Sequence, residues 1–265
     1  MMMSYAFYEL DNNVWTKKEK DLIKQRGLEI YKDFREHGMT MIYPHSHFYF
    51  KRQTNGEPEL SSLKASLESY KKFSFPGPFC WYLGHLLQTA KPFHPGSIIN
   101  YDARVAEIRL RRLLDAFEKI AKEMGIPKDK LVVQLVDEPD GKDDRVAAGK
   151  ALNAIAREMG FKTLITRPWP DVSIICTGAP DSEEDAQKLR KKGRQWWIYP
   201  NSALTTENMA YVRYVFGFGA WRWGVDGVVP WTFQMSQGCN GNPFTVLDGS
   251  EVMAAYPGID GPIPT

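Results

Sequence analysis

The chain has 265 residues, of which 43% are hydrophobic and 25% charged, and its formal net charge is only +2. This composition is ordinary for a globular protein, and the length suits one large α/β domain. The near-neutral charge and the lack of basic runs argue against a nucleic-acid-binding protein or a polybasic membrane anchor. We also expect no signal peptide and no transmembrane span in this sequence.

The N-terminal half alternates short apolar runs with amphipathic stretches. A capping box that starts at Thr16 predicts a helix that ends near His37 and is closed by Gly38. Asp102 is the predicted N-cap of the clearest helix, which ends at Gly125. A weaker helix is predicted around residues 60–72. The four predicted strands of this half are residues 5–10, 39–44, 79–85 and 131–138.

The C-terminal half continues this alternation. Its predicted strands are residues 162–167, 172–178, 195–201 and 227–233, and its predicted helices are 144–159, 182–194 and 206–221. Eight strands alternating mostly with helices over about 230 residues predict a (β/α)8 TIM barrel. We expect a single domain, residues 1–265, with an irregular closing segment from about residue 239. The alternative is an open doubly wound sheet, but no GxGxxG motif follows the first strand.

Two adjacent acids, Asp137 and Glu138, end the fourth predicted strand. Active sites of TIM barrels lie at the C-terminal ends of the strands. Because side chains alternate along a strand, Glu138 is predicted to share a face with Gln134 and to point at the barrel axis. Asp137 can turn to the mouth where Pro139 stops the ladder. A partly buried Glu beside an ionised Asp is expected to have a raised pKa and can act as a general acid. The alternative is a surface or N-cap pair at the start of a loop.

None of the other predicted strands ends in an acid that is placed to act as a nucleophile. Glu9 and Asp11 lie at the first strand, and Asp226 lies at the wrong end of the eighth. An ordinary retaining glycosidase needs a nucleophile about 5 Å from its acid. The apparent lack of one favours chemistry in which the amide oxygen of a 2-acetamido sugar attacks, while one acid protonates the leaving oxygen and the other orients the amide.

Four segments, LVDEP, WWIYPN, WGVDGVVPWTFQ and YPGIDGPIPT, occur in this order and resemble the catalytic barrel of glycoside hydrolase family 123, also called the domain of unknown function 4091 group. The resemblance implies removal of β-linked N-acetylhexosamine, in particular N-acetylgalactosamine, from an oligosaccharide or glycoconjugate. It implies Glu138 as acid/base and Asp137 as the residue that positions the acetamido group. It also implies a secreted or periplasmic protein. The alternative is a carbohydrate-binding barrel without activity, or a truncated and inactive family member.

Aromatic residues near the predicted strand ends are candidate sugar contacts, because sugar C–H groups stack on aromatic faces. On the seventh strand, Trp196 and Ile198 share one face, which we assign to the core against the helix layer. Trp197 and Tyr199 share the other face, where Tyr199 could donate its hydroxyl to the acetamido oxygen and Trp197 could form a wall of the pocket. Core packing is the alternative for each. The further candidates at strand ends are Trp231, Tyr82, His85 and Tyr8.

Histidines and cysteines give no convincing metal or redox site. His45 and His47 form an HxH pair of the kind that metal-dependent hydrolases use on a barrel, but no histidine follows His94. Two ligands hold a catalytic metal poorly. Cys176 could be a nucleophile in principle, but a buried cysteine is usually a small apolar residue. We therefore predict no metal and no cofactor. The three cysteines form no CxxC motif, and their odd number argues against a disulfide framework.

Overall fold

The computed structural model describes residues 2–3, 28–29, 31–43, 60–84, 102–139, 145–180, 182–199 and 209–229, and short strands between 234 and 264. The chain divides into two compact units. The central unit comprises Thr40–Cys176, and the terminal unit comprises Met1–Met39 together with Thr177–Thr265.

Strands and helices alternate through most of the described chain. The strands are β1 (Met2–Met3), β2 (Ile42–Tyr43), β3 (Phe79–Tyr82), β4 (Leu131–Gln134), β5 (Lys162–Ile165), β6 (Ile174–Thr177), β7 (Gln195–Ile198), β8 (Gly227–Val228), β9 (Gln234–Met235), β10 (Val252–Met253), β11 (Ala255–Pro257) and β12 (Pro262–Pro264). The helices are α1 (residues 31–36), α2 (Ser61–Lys72), α3 (Ala103–Glu123), α4 (Arg145–Glu158), α5 (Glu183–Arg190), α6 (Met209–Arg213) and α7 (Ala220–Arg222). A 3-10 turn, Lys128–Lys130, precedes β4, and a π-helical segment, Tyr214–Gly219, joins α6 to α7.

The central unit is built on parallel strands. β3 pairs with β4, β4 with β5, and β5 with β6, and all three pairings are parallel. Every residue of β4 is buried, as expected for a parallel strand covered on both faces. Phe117 of α3 packs its ring against Phe79, Trp81 and Phe161, at centroid distances of 5.7, 5.1 and 5.9 Å. This aromatic cluster joins the helix layer to the sheet.

The ends of α3 and α1 confirm the capping predictions. The Asp102 side chain accepts a hydrogen bond from the Val105 N–H at 3.0 Å, which satisfies one of the free donors of the first turn. Gly125, with φ +71°, follows the C-terminus of α3. Gly38, with φ +79°, follows α1. A left-handed residue after a helix favours glycine, which has no Cβ to clash.

The terminal unit carries one described parallel pair, β7 with β8. Ile198 of β7 packs with Val215 of the π-helical segment, and Trp196 packs against this cluster. The assignment of Trp196 and Ile198 to the core against the helix layer is therefore confirmed. Asp226, just before β8, accepts hydrogen bonds from Arg190 Nε at 2.6 Å and from the Trp196 N–H at 3.0 Å. Its carboxylate therefore joins the end of α5 to the start of β7.

The predicted strands that lie wholly on described residues were placed correctly, but most of them were predicted too long. The fourth strand was predicted to reach Glu138, but β4 ends at Gln134. The second was predicted over 39–44 and is found at Ile42–Tyr43. Apolar runs continue past the point where backbone pairing stops, so the runs overstate strand length. The predicted strand 5–10 and the start of the helix from Thr16 lie outside the described residues. No helix among the described residues is long and apolar enough to cross a membrane.

Candidate active site at the end of β4

The acid pair lies in the turn that follows β4. Asp137 and Glu138 are three and four residues beyond Gln134, the last residue of that strand. The neighbouring strand β5 ends at Ile165, and Thr166 follows it directly. Gln134 pairs with Leu164 across the parallel ladder. The C-terminal ends of β4 and β5 therefore lie side by side, and polar residues from both surround the acid pair.

Three hydrogen bonds fix the pair. Asp137 Oδ1 accepts from Gln134 Nε2 at 3.0 Å and from the Thr166 hydroxyl at 3.3 Å. The Thr166 hydroxyl oxygen in turn accepts from the Glu138 backbone N–H at 2.6 Å. Gln134 and Thr166 are only 1% and 5% exposed. Two buried side chains from adjacent strands thus hold the Asp137 carboxyl and the Glu138 backbone.

Burial has a strong effect on the acidity of Asp137, which is half-buried. The pKa of this carboxyl is raised from its ordinary 3.8 to about 6, chiefly by burial and secondly by the nearby Glu138 carboxylate. Hydrogen bonds from Gln134 and Thr166 act in the opposite direction, because they stabilise the charged form. Asp137 therefore changes its protonation state close to neutral pH, which is the range useful for acid–base chemistry.

Glu138 differs from what the strand pattern predicted. Its side chain is exposed, so the expectation that it is partly buried is wrong. Gln134, which was predicted to share a face with Glu138, makes its hydrogen bond with Asp137 instead. The physical reason is that the ladder stops at Gln134, so side-chain alternation does not extend through the turn. Glu138 also has φ +40°, in the left-handed region that is unfavourable for a residue with a side chain.

Three buried side chains of the central unit stay neutral, and two of them interact electrostatically with Asp137. Burial raises the pKa of Tyr43, Cys80 and Cys176 well above their ordinary values. The charge on Asp137 raises the pKa of Tyr43 and Cys176 further. Cys176 is a free thiol that stays protonated, whereas a nucleophilic cysteine needs a lowered pKa. The structure therefore speaks against Cys176 as a nucleophile.

The predicted aromatic contacts fall in different places. Tyr82, at the end of β3 in the central unit, is 3% exposed, and Trp197 of β7 in the terminal unit is 4% exposed. The Trp197 indole N–H donates to Gln195 Oε1 at 3.1 Å. Such burial is typical of core packing. Tyr199, directly after β7, is half-buried, and its N–H donates to the Thr177 carbonyl at 2.8 Å. A role of these three residues in sugar binding stays a prediction.

Several other predicted residues lie outside the described part of the chain: Tyr8, Glu9, Asp11, His45, His47, His85 and Trp231. Asp226 precedes β8, so its position at the N-terminal end of that strand is confirmed. Within the described residues, no three His, Cys, Asp or Glu side chains form a group that could hold a metal ion. Sequence reasoning missed Thr166, although a hydroxyl residue directly after a parallel strand was a usable signal.

Comparison with known proteins identifies the fold. No protein-family model matches the chain, and no curated protein matches it either. Among solved structures, it resembles a triple mutant of an endo-β-1,4-glucanase from Xanthomonas axonopodis pv. citri, with 15% identity, a TM-score of 0.56, and coverage of 90% of this chain and 86% of that one. It also resembles a GH5 family lichenase from Caldicellulosiruptor sp. F32, with 11% identity, a TM-score of 0.50, and coverage of 88% and 83%.

These similarities and the parallel strands define the class of the protein. The chain has the α/β, (β/α)8 TIM-barrel fold, as the sequence predicted. Its solved neighbours of the same fold are glycoside hydrolases by their names. At such low identity the likeness extends to the fold and not to the substrate.

Proposed function

We propose that the chain is a glycoside hydrolase that removes β-linked N-acetylhexosamine, in particular N-acetylgalactosamine, by a retaining and substrate-assisted mechanism. The observation that carries the proposal is the Asp137–Glu138 pair, fixed in the turn after β4 of a barrel fold. In such a fold this edge of the sheet carries the catalytic residues. The sequence resemblance to glycoside hydrolase family 123 supports the acetamido sugar as the substrate, and the fold shared with a glucanase and a lichenase supports glycoside hydrolysis.

In this mechanism the two carboxyls have different tasks. Glu138 is exposed, so its protonated form can reach a bound sugar and donate the proton to the glycosidic oxygen as the bond from that oxygen to C1 breaks. The acetamido oxygen of the same sugar forms the new bond to C1, giving a cyclic oxazoline-like intermediate. Glu138 then takes a proton from the water that opens the ring. This order of steps retains the configuration at C1.

Asp137 orients the acetamido group. Its Oδ1 is already occupied by donors from Gln134 and Thr166, so its remaining acceptor capacity is available to the amide N–H of the sugar. An ionised Asp137 also stabilises the positive charge that the amide acquires as its oxygen attacks. Because the pKa of Asp137 is about 6, this help is available only above that pH. The proposal therefore includes an acidic limb of kcat/KM near pH 6.

A β-glucanase is the second candidate, because both structural neighbours are named for hydrolysis of β-glucans. That chemistry needs a second carboxylate as nucleophile, about 5 Å from the acid in a retaining enzyme. Glu9 and Asp11, the acids predicted near the first strand end, lie outside the described residues. The two candidates differ in one testable respect: only the first requires the 2-acetamido group on the substrate.

The decisive experiment compares chromogenic β-N-acetylgalactosaminide, β-N-acetylglucosaminide and β-galactoside, together with lichenan as a glucan. The variants are Glu138→Gln, Asp137→Asn and, as a matched control, Asp115→Asn on the exposed surface of α3. We expect turnover only of the acetamido sugars, loss of roughly 100-fold or more in both site variants, and no change in the control. Equal turnover of the plain galactoside, or cleavage of lichenan alone, would overturn substrate assistance. A folded protein that binds these sugars and cleaves none would be a carbohydrate-binding barrel.

A further inference from the structure

Among the described residues, the Thr166 hydroxyl contacts both members of the acid pair. It accepts the Glu138 N–H at 2.6 Å and donates to Asp137 Oδ1 at 3.3 Å. A hydroxyl has one proton to donate, and Thr166 uses it on Asp137 while its oxygen accepts from the backbone. The contact joins residues 28 and 29 positions apart in the chain. Thr166 is 5% exposed, so water competes little for these bonds.

The backbone of Glu138 needs such support. Its φ of +40° is unfavourable for a residue with a Cβ, and such conformations persist only where the surroundings hold them. The short hydrogen bond from its own N–H to Thr166 holds this peptide unit from the neighbouring strand's end. If the bond were lost, the turn could relax to an ordinary conformation, and the direction of the Glu138 side chain would change with it.

We propose that Thr166 is the positioning residue of the acid pair: its hydroxyl holds the Glu138 backbone in the left-handed conformation and holds the Asp137 carboxyl in place, so that both acids depend on one side chain from the neighbouring strand. The catalytic meaning of this role rests on the proposed function. The hydrogen-bonding role does not, because it can be measured in a protein without any substrate.

The environment of Asp137 makes its titration a usable probe. Within the described part of the chain, the titratable groups that interact with it are Glu138 in the same turn, Tyr43 of β2 and Cys176 of β6. Tyr43 and Cys176 stay neutral near pH 6, because burial raises the pKa of each. The hydrogen bond from Thr166 lowers the pKa of Asp137. Loss of the hydroxyl therefore moves the titration of Asp137 to higher pH.

The test uses Thr166→Val, which keeps the shape and removes the hydroxyl, and Thr166→Ser, which keeps the hydroxyl. The matched control is Thr163→Val in β5, the strand that Thr166 directly follows. The Thr163 hydroxyl is fully buried and has no hydrogen-bond partner among the described residues. The Asp137 carboxyl is followed by NMR of protein labelled with carbon-13 aspartate, and its signal is assigned by its absence in Asp137→Asn.

We expect the Asp137 midpoint to move to higher pH in Thr166→Val and to stay at the wild-type value in Thr166→Ser and Thr163→Val. With an acetamido sugar as substrate, kcat/KM should fall roughly tenfold to 100-fold in Thr166→Val only, with its acidic limb moved the same way. An unchanged midpoint in folded Thr166→Val would overturn the proposal. If the wild type cleaves no glycoside, the proposed function fails while the titration still decides the role of Thr166.

A measurement on the unaltered protein covers the case in which Thr166→Val does not fold. The Glu138 amide belongs to a residue with an exposed side chain, yet its proton is bonded to a buried oxygen. We expect this amide to exchange with deuterium roughly 100-fold more slowly than an open amide. Exchange at the rate of an unprotected peptide would show that the bond to Thr166 is not formed, and would overturn the proposal.

Discussion

The half-buried carboxyl of Asp137 predicts an unusual dependence of stability on pH. Its pKa in the folded protein is about 6, above its ordinary 3.8. Between these values the folded protein keeps a proton on Asp137 that the unfolded chain releases. The free energy of unfolding contributed by this site is therefore fully present below about pH 4 and is lost as the pH rises through about 6. Most paired surface carboxylates have the opposite sign.

The magnitude follows from the pKa difference. One pKa unit corresponds to about 1.4 kcal/mol, so a rise from 3.8 to about 6 amounts to roughly 3 kcal/mol between acidic and neutral pH. Asp137→Asn removes the titration and keeps the shape of the side chain. We expect the difference in unfolding free energy, wild type minus Asp137→Asn, to fall by up to roughly 3 kcal/mol from about pH 3.5 to pH 7.5.

Urea denaturation of both proteins at each pH measures this difference, and the contributions of the carboxyls that do not interact with Asp137 cancel in the subtraction. The control is Asp115→Asn, an exposed carboxyl on α3, for which we expect a much smaller dependence on pH. A difference for Asp137→Asn that is flat, or that grows with pH, would refute the conclusion that burial dominates the acidity of this residue.

Three further predictions concern other residues. At the left-handed position 138, Glu138→Gly should be more stable than Glu138→Ala by about 1 kcal/mol in urea denaturation, and the reverse order would contradict the φ of +40°. Gly149→Ala in α4 would place a Cβ 2.7 Å from the Trp169 ring and should cost about 1–3 kcal/mol by thermal unfolding. Gly217→Ala should cost little, because its Cβ would meet no atom of the described residues within 4 Å beyond its own helix backbone and chain neighbours. Asp226→Asn removes the charge that lies 2.6 Å from Arg190 Nε and should lower the free energy of unfolding by about 1 kcal/mol. This loss should become smaller in high salt, and a loss independent of salt would contradict an ionic contribution.

The position of the acid pair was predictable from local sequence. An apolar run followed by two acids and a proline indicates a strand that ends at a turn, and the repeated strand–helix pattern indicates a parallel barrel. The structure has both. Helix boundaries were predictable for the same reason, because the cap at Asp102 and the glycines at 38 and 125 act on their own neighbours in the chain. Such signals need no information about distant residues.

The chemistry of each acid was decided only by the tertiary structure. Side-chain alternation predicted a buried Glu138, but β4 stops at Gln134, and the half-buried carboxyl is that of Asp137. Where a ladder stops depends on the length of the strand beside it, which local sequence does not contain. Thr166 reaches the pair from 28 residues away, through the pairing of β4 with β5. The sequence by itself determined that the two carboxyls lie at the turn after the fourth strand, since that depends on local propensity. The fold alone decided which of them is held at a pKa near 6, since burial and hydrogen bonds come from residues distant in the chain.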